Sequence, residues 1–169
     1  MKAKTTTESR TIQASLVQPS DTNYHGTMFG GKMMAYIDEV AAIAAMRHAR
    51  RPVVTASMDS IDFLSPVKMG HSVCLEAIVS YAGRSSMEVF VKIISEDLRT
   101  GERTLTATSF LTFVALGDDG KPTPVPPVLP ETEEERYLFE TAEERKNMRK
   151  ERKRSTEAFT SQLNVAKNI

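Results

Sequence analysis

The order of hydrophobic and polar residues predicts one long buried helix near the N-terminus. From residue 31 to about residue 50, strong helix formers and apolar side chains occupy nearly every direction around the helix, with few charges. A helix with so little polar surface belongs inside a domain rather than on its outside. Pro52 follows and predicts that the helix ends just before it.

Apolar and polar residues alternate in five other segments, which predicts five strands. One precedes the helix, at residues 11–17, and four follow it, at residues 53–64, 72–82, 87–95 and 103–116. The alternation predicts one apolar and one solvated face per strand, with Glu88 and Lys92 on a solvated face. Because the connections are short, the four later segments are expected to form an antiparallel meander. The predicted fold is α+β, with one helix wrapped by one five-stranded sheet.

The composition changes after this region, which predicts three parts in the 169-residue chain. Residues 1–120 form the predicted domain. Residues 121–130 are rich in proline and predict a stiff, extended connector that acts as a spacer. Residues 131–169 form a charged helical tail, with a helix expected from 131 to about 154. Its acidic residues come first and its basic residues last, which suits the helix dipole.

Charge and cysteine content exclude several classes of protein. The 22 basic and 22 acidic side chains cancel, so the uniform positive field of a nucleic-acid-binding protein is not expected. Cys74 is the only cysteine, which leaves no disulfide framework and no cysteine-based zinc site. The polar N-terminus and the lack of a long apolar run predict a soluble cytoplasmic protein that does not enter a membrane.

One acidic residue stands out within the apolar helix. Asp38 shares a helix face with Met34, Ala41, Ala42 and Ala45, so its carboxylate is expected among small and apolar neighbours. Removing a carboxylate from water costs several kcal/mol unless the group is paired, reached by solvent in a cleft, or used in chemistry. Asp38 is therefore either a catalytic acid or a buried acid held by a hydrogen bond or an ion pair.

Three motifs in order carry a resemblance to a known family. They are Asn-Tyr-His-Gly-Thr-Met-Phe-Gly-Gly at 23–31 followed by Asp-Glu-Val-Ala at 38–41, Val-Thr-Ala-Ser-Met-Asp-Ser-Ile-Asp-Phe at 54–63, and Gly-Arg-Ser-Ser-Met at 83–87. Over residues 11–114 the chain resembles the hotdog-fold acyl-CoA thioesterases. The likeness is strongest to bacterial acyl-CoA hydrolases related to the mammalian cytosolic, brain-type acyl-CoA hydrolase.

This resemblance implies a fold, an assembly and a reaction. The fold is a central helix wrapped by five antiparallel strands, paired into a double-hotdog dimer with one ten-stranded sheet, commonly as a trimer of dimers. The reaction is hydrolysis of acyl-CoA to a free fatty acid and coenzyme A without a metal or redox cofactor. The site lies at the dimer interface, and the matching residues are Asn23 from one protomer and Asp38 from the other. Gly31 matches the glycine whose backbone N–H polarises the thioester carbonyl.

The residues suit this chemistry, because a thiolate leaves without strong acid assistance. Asp38 is expected to act as a general base on water or as a nucleophile, and Asn23 to orient the water or the substrate. Gly30 and Gly31 allow close approach, and the first amides of a helix lack internal partners, which suits an oxyanion. The expected substrate-binding residues are His25, Thr55, Arg84, Ser85 and Ser86, of which the last three suit the phosphates of coenzyme A. Basic residues late in the tail could add to these contacts.

Plainer interpretations exist for several of these residues. Asn23 could simply stabilise its turn, His25 could be a loop hydrogen-bonding residue, and Ser85 and Ser86 could form a polar hairpin turn. Asp21, His25 and Asp38 lack the spacing of metal ligands, so no metal is expected.

Two other functions compete with thioester hydrolysis. One is a hotdog module that binds acyl-CoA or a nucleotide and regulates a partner without significant catalysis, which the pair Asn23 and Asp38 disfavours. The other is a hydratase or dehydratase, which would require a catalytic histidine, yet the helix contains only His48, near its end.

Overall fold

A long helix packs against one face of a five-stranded antiparallel sheet in the computed structural model, which describes residues 1–163. The helices are α1 (Gly30–Ala49), α2 (Glu133–Glu140) and α3 (Ala142–Thr160). The strands are β1 (Lys4–Thr5), β2 (Thr11–Leu16), β3 (Val53–Phe63), β4 (Ser72–Ala82), β5 (Ser86–Glu96), β6 (Arg103–Ala115) and β7 (Val128–Leu129). The predicted central helix and five sheet strands are therefore confirmed, to within one or two residues at their ends.

The core lies between α1 and the inner face of the sheet. Alternate residues of β4 and β5 are buried against the helix, as the period of two requires: Val73, Leu75, Ala77, Val79, Met87, Val89, Val91 and Ile93. The helix buries Ile37, Val40 and Ala44 in return. Met34 and Met46, however, are exposed on the other side of α1. The expectation of a helix buried all round is thus wrong for a single chain, because the sheet covers only one side.

The strands are ordered β2-β4-β5-β6-β3 across the sheet. The predicted meander is correct for β4, β5 and β6, but β3 pairs with β6 and β4 with β2, so β3 and β4 are not neighbours. The chain between them crosses the start of α1, where the Met28 amide donates to the Val67 carbonyl at 2.8 Å. Strand β3 is therefore an edge strand, next to the helix face that the sheet leaves open.

The proline-rich segment packs onto the domain, so the prediction that it acts only as a spacer is wrong. Strand β7 pairs in parallel with β1, and Val125 and Val128 are buried in the core. Proline has no N–H, so the prolines of the segment only accept, as the Pro127 carbonyl does from the Lys4 amide at 2.9 Å, and the other residues provide the amide donors. The Thr123 amide donates to the Ala115 carbonyl at 2.9 Å, and the Val125 amide donates to the Arg84 carbonyl at 3.0 Å.

The tail forms two helices instead of the single one expected, and both pack on the outer face of the sheet. The Thr132 hydroxyl caps α2, and the chain bends at Thr141 before α3 begins. Leu138 packs against Ile78 and Phe90 on this outer face. Residues 164–169 of the predicted tail lie outside the described residues.

Glu88 was expected on a solvated strand face, but it is only 3% exposed. The reason is that α3 covers it: Arg145 donates hydrogen bonds to both of its carboxylate oxygens, at 2.8 to 3.2 Å. The alternation placed Glu88 on the correct side of the sheet, and the tail then removed that side from solvent.

Candidate active site

Asp38 lies in the middle of α1 and faces the edge strand β3. Its Oδ1 accepts a hydrogen bond from the Thr55 hydroxyl at 2.9 Å. The side chain is half-buried, and no ion pair to it is found among residues 1–163. Ala41 and Ala45 are buried as expected, but Met34 is exposed, so the carboxylate borders solvent rather than lying within the core. Of the two non-catalytic interpretations of Asp38, the described residues provide the hydrogen bond but not the ion pair.

Thr55 is presented by an irregular part of β3. The pairing of β3 with β6 shifts between Thr55 and Ser57, and again between Met58 and Ser60. Such shifts bend a strand and redirect its side chains. The other oxygen of Asp38, Oδ2, accepts no hydrogen bond from the described part of the chain. One oxygen is therefore held in place while the other is available to a ligand.

The start of α1 provides unpaired backbone donors. Phe29 occupies the N-cap position and cannot cap with its side chain, while its carbonyl accepts from the amides of Lys32 and Met33. In the described structure, no acceptor lies within hydrogen-bond distance of the Gly30 or Gly31 amide. A Cβ added to Gly31 would come within 2.5 Å of the Phe29 ring. Because Phe29 is exposed, its ring could turn aside, so packing alone does not require glycine here. The two amides at the helix start carry partial positive charge.

The loop before the helix is ordered by Asn23. Its Oδ1 accepts from the amides of His25 and Thr27, and its Nδ2 donates to the Thr27 hydroxyl at 3.1 Å. This is the turn-stabilising role considered from the sequence. Because an amide nitrogen carries two hydrogens, one donor of Nδ2 is left over. No hydrogen bond joins Asn23 to Asp38 within the described chain.

His25 and Tyr24 lie at the tip of this loop. Both side chains are exposed, and their rings lie in contact, with centroids 3.9 Å apart and planes tilted by 41°. The backbone of His25 is held by Asn23, whose Oδ1 accepts from the His25 amide at 2.9 Å, while the imidazole lies at the surface of the single chain.

The Arg84, Ser85 and Ser86 motif forms the turn between β4 and β5. The backbone of this turn is fixed, because the carbonyls of Arg84 and Ser85 accept from the amides of Val125 and Ala115 at 3.0 Å. The three side chains themselves have no hydrogen-bond partner among residues 1–163. They are consequently available to a ligand, in a turn that the packed connector holds still.

His48 is fully buried, so it cannot contact a substrate. Its Nε2 lies 2.8 Å from the Pro126 carbonyl, and its Nδ1 has no hydrogen-bond partner within the described part of the chain. Burial lowers the pKa of this imidazole below 6.5. His48 thus joins the helix to the connector, which removes the histidine that a hydratase or dehydratase would need.

No group of three or more His, Cys, Asp or Glu side chains in residues 1–163 is arranged to hold a metal ion. None of the described helices is both long and apolar enough to cross a membrane.

Known proteins are similar to this chain in sequence and in fold. The model of the thioesterase superfamily matches residues 25–102. The Bacillus subtilis protein named uncharacterized acyl-CoA thioester hydrolase YkhA is 59% identical over 160 residues, which cover 95% of this chain and 93% of that protein.

Two solved structures share the architecture. The acyl-CoA hydrolase of Staphylococcus aureus, in complex with butyryl coenzyme A, coenzyme A and coenzyme A disulfide, is 49% identical with a TM-score of 0.91, over 94% of this chain and 97% of that one. Other structures of that hydrolase have alanine in place of an aspartate, a threonine or an asparagine. An apo-hexameric acyl-CoA thioesterase is 56% identical with a TM-score of 0.88, over 90% and 97% of the two chains. The chain therefore belongs to the thioesterase superfamily, among the hotdog-fold acyl-CoA thioesterases that its three motifs indicated.

Proposed function

We propose that this protein hydrolyses acyl-CoA thioesters to a free fatty acid and coenzyme A. The observation that carries the proposal is the state of Asp38: a half-buried carboxylate, held at one oxygen by Thr55, with no cation paired to it among residues 1–163. A carboxylate paired with an arginine or a lysine would be occupied by that partner, whereas Oδ2 of Asp38 accepts no hydrogen bond from residues 1–163 and can meet a water or a substrate.

The spacing of three residues supports the same assignment. In the Staphylococcus aureus hydrolase, the asparagine, aspartate and threonine replaced by alanine are separated by 15 and 17 residues. Asn23, Asp38 and Thr55 have the same order and the same separations. We infer that these three residues act together in this chain.

The reaction follows from the roles of these groups. Asp38 takes a proton from water, whose oxygen attacks the thioester carbonyl carbon; alternatively, Asp38 attacks that carbon itself and water then hydrolyses the mixed anhydride. The amides of Gly30 and Gly31 stabilise the oxyanion that forms. Breakage of the carbon–sulfur bond releases the thiolate of coenzyme A. A thiolate is a good leaving group, so the reaction requires no metal or redox cofactor.

Each site is built from two protomers. Asp38 lies seven residues after Gly31, which is about 10 Å along the helix axis. That is too far for one helix to provide both the oxyanion donors and the acid, and Asn23 is not bonded to Asp38 either. The second protomer would approach along the edge of β3, beside the exposed Met34. We infer a dimer with a continuous ten-stranded sheet, assembled into a hexamer as in the hexameric relative, and a cytoplasmic location.

Release of thiol from acyl-CoAs of several chain lengths tests the proposal. Asp38→Asn should lower the rate by a factor of about 10² to 10⁴, the usual contribution of a positioned acid or base, without changing the melting temperature. Glu39→Gln is the matched control, because it removes one charge from an exposed neighbouring position of the same helix. Binding of acyl-CoA by the wild type without thiol release would favour the regulatory module instead. Unchanged turnover by Asp38→Asn would exclude the proposed role of this residue.

A further inference from the structure

Strand β3 is bulged at two points directly after the residue that binds Asp38. Its register with β6 shifts after Thr55 and again after Met58. Ala56 and Asp59 are consequently left without a partner on β6. A β-bulge bends a strand and disrupts the ladder around the extra residue. The segment that begins with Thr55 therefore depends on side-chain contacts for its shape.

The first bulge lets this segment contact both faces of the sheet. Thr55 is opposite Phe113, which belongs to the core beside α1, so Thr55 is on the inner face. Ser57 is opposite Thr112, the neighbour of Phe113 on β6, so Ser57 is on the outer face. In a regular strand, residues two positions apart would share one face. Contacts made on the outer face thus constrain the backbone that presents Thr55 on the inner one.

The carboxylate of Asp59 is the centre of the contacts on the outer face. Ser57 donates a hydrogen bond to its Oδ1 and Thr112 donates one to its Oδ2, each at 2.6 Å. Two arginines of α3 complete the set, since Arg149 donates to Oδ2 at 3.2 Å and Arg152 donates to Oδ1. The side chain of Asp59 is only 13% exposed. An ionised carboxylate has acceptors on both oxygens, so it satisfies all of these donors at once.

Helix α3 also completes the backbone hydrogen bonds of the second bulge. The carbonyl of Asp59 accepts from the guanidinium of Arg152. The next carbonyl, that of Ser60, accepts from the Ser109 hydroxyl at 2.7 Å. Side chains thus replace ladder bonds that the bulge interrupts. The shape of this part of β3 is therefore set in part by the C-terminal helix.

We propose that Asp59 is a positioning residue for the reaction. Held by α3, it fixes the bulged segment of β3 so that the hydroxyl of Thr55 stays directed at Asp38. The assignment rests on the proposed thioesterase function. It gives the C-terminal helix a part in the chemical step that is separate from substrate binding.

A double-mutant cycle of Asp59→Asn and Thr55→Val tests the assignment. Asp59→Asn keeps the shape of the side chain but replaces one acceptor with an NH₂ group, which then faces other donors. The kcat should fall about tenfold, and by no more than in Thr55→Val, because Asp59 acts through Thr55. The KM for acyl-CoA should not change. In the Thr55→Val background, Asp59→Asn should have no further effect on kcat.

A substrate without a nucleotide separates positioning from binding. The same fall in kcat is expected with an acyl-N-acetylcysteamine thioester, because the chemical step is the same. Arg152→Gln is the second variant, in case Asp59→Asn does not fold. It leaves Asp59 ionised and paired with Arg149, and it should lower kcat for this thioester with the same dependence on Thr55.

Glu134→Gln is the matched control. Its carboxylate also joins the tail to the sheet, through Lys92 at 2.7 Å, but Lys92 lies on β5, which β6 separates from β3. This variant should have the kcat and the KM of the wild type. Such a result shows that loss of an ion pair between tail and sheet is not sufficient.

Three outcomes would overturn the assignment. They are an unchanged kcat in Asp59→Asn, a rise in KM in place of the fall in kcat, or a fall in kcat that persists in full in the Thr55→Val background. The wild-type rate tests the proposed function separately. If the wild type releases thiol and folded Asp59→Asn keeps its kcat, the assignment of Asp59 alone fails.

Discussion

Production of Asn23→Ala and Asp38→Asn chains together in one cell tests whether each site uses two protomers. Either variant alone should be nearly inactive, because every site then lacks one of the two side chains. In a mixed dimer with two-fold symmetry, one site combines both substitutions and the other combines the unchanged Asn23 with the unchanged Asp38. The mixed dimer should therefore recover activity that neither parent possesses.

The expected recovery follows from the symmetry. Random pairing makes about half of the dimers mixed, and each mixed dimer has one intact site of two, so the mixture should reach about one quarter of the wild-type rate. Two different affinity tags purify assemblies that contain both chains, and because a hexamer combines three randomly paired dimers, their rate should also be about one quarter of the wild-type rate. The assay is thiol release at saturating acyl-CoA, normalised to protein concentration.

A site contained within one chain predicts a different result. Every chain of the mixture would then carry one defect, and the purified mixed species would be no more active than the mean of its two parents. That result would refute the shared site, together with the interpretation of the roughly 10 Å between the helix start and Asp38. Co-production of two differently tagged Asp38→Asn chains is the control, and it should show no recovery.

Three further predictions concern individual contacts. Thr55→Val removes the hydroxyl that donates to Asp38 at 2.9 Å. A hydrogen bond to a charged group contributes about 1.5 to 3 kcal/mol, so its loss from the transition state should lower kcat by a factor of roughly 10 to 100. Thr55→Ser should restore most of kcat. Burial lowers the pKa of His48 below 6.5, so on acidification the unfolded chain takes up a proton at a higher pH than the folded chain does. Urea titrations should therefore show the free energy of unfolding falling as the pH drops below 6.5. The variant His48→Gln should weaken this dependence. Glu88→Gln leaves Arg145 without its carboxylate partner, so hydrogen exchange should show faster opening of α3. Unchanged exchange would mean that the apolar contacts of α2 hold the tail on the sheet.

The elements of the fold could be predicted because local patterns specify them. The period of two assigned β4 to residues 72–82, and the apolar character of residues 31–50 predicted α1 almost to its ends. The prolines of the connector, in contrast, suggested a free spacer. Their neighbours Val125 and Val128 are buried in the core, and a segment this short has no periodicity that would reveal such packing.

The residues of the candidate site were predicted from short sequence motifs, not from the periodicity of apolar residues that predicted the helices and strands. The two glycines that begin α1 and the acid within it follow from chemistry that can be recognised in the sequence. The bond from Thr55 to Asp38 could not be predicted in this way, because it joins residues 17 positions apart across a helix and a strand. The packing of α3 on the sheet was equally hidden, because the paired side chains of Arg145 and Glu88 lie 57 positions apart in the chain.

By itself, the sequence determined which segments are helices and strands, which residues can do chemistry and which family the chain resembles, because each of these depends on residues close together in the chain. The tertiary structure decided that β3 lies at the edge of the sheet, that Thr55 holds Asp38, that Glu88 is buried and that the tail covers the outer face. These features depend on pairings between distant segments, and many such pairings bury similar apolar surface. Only the complete packing of the core selects among them.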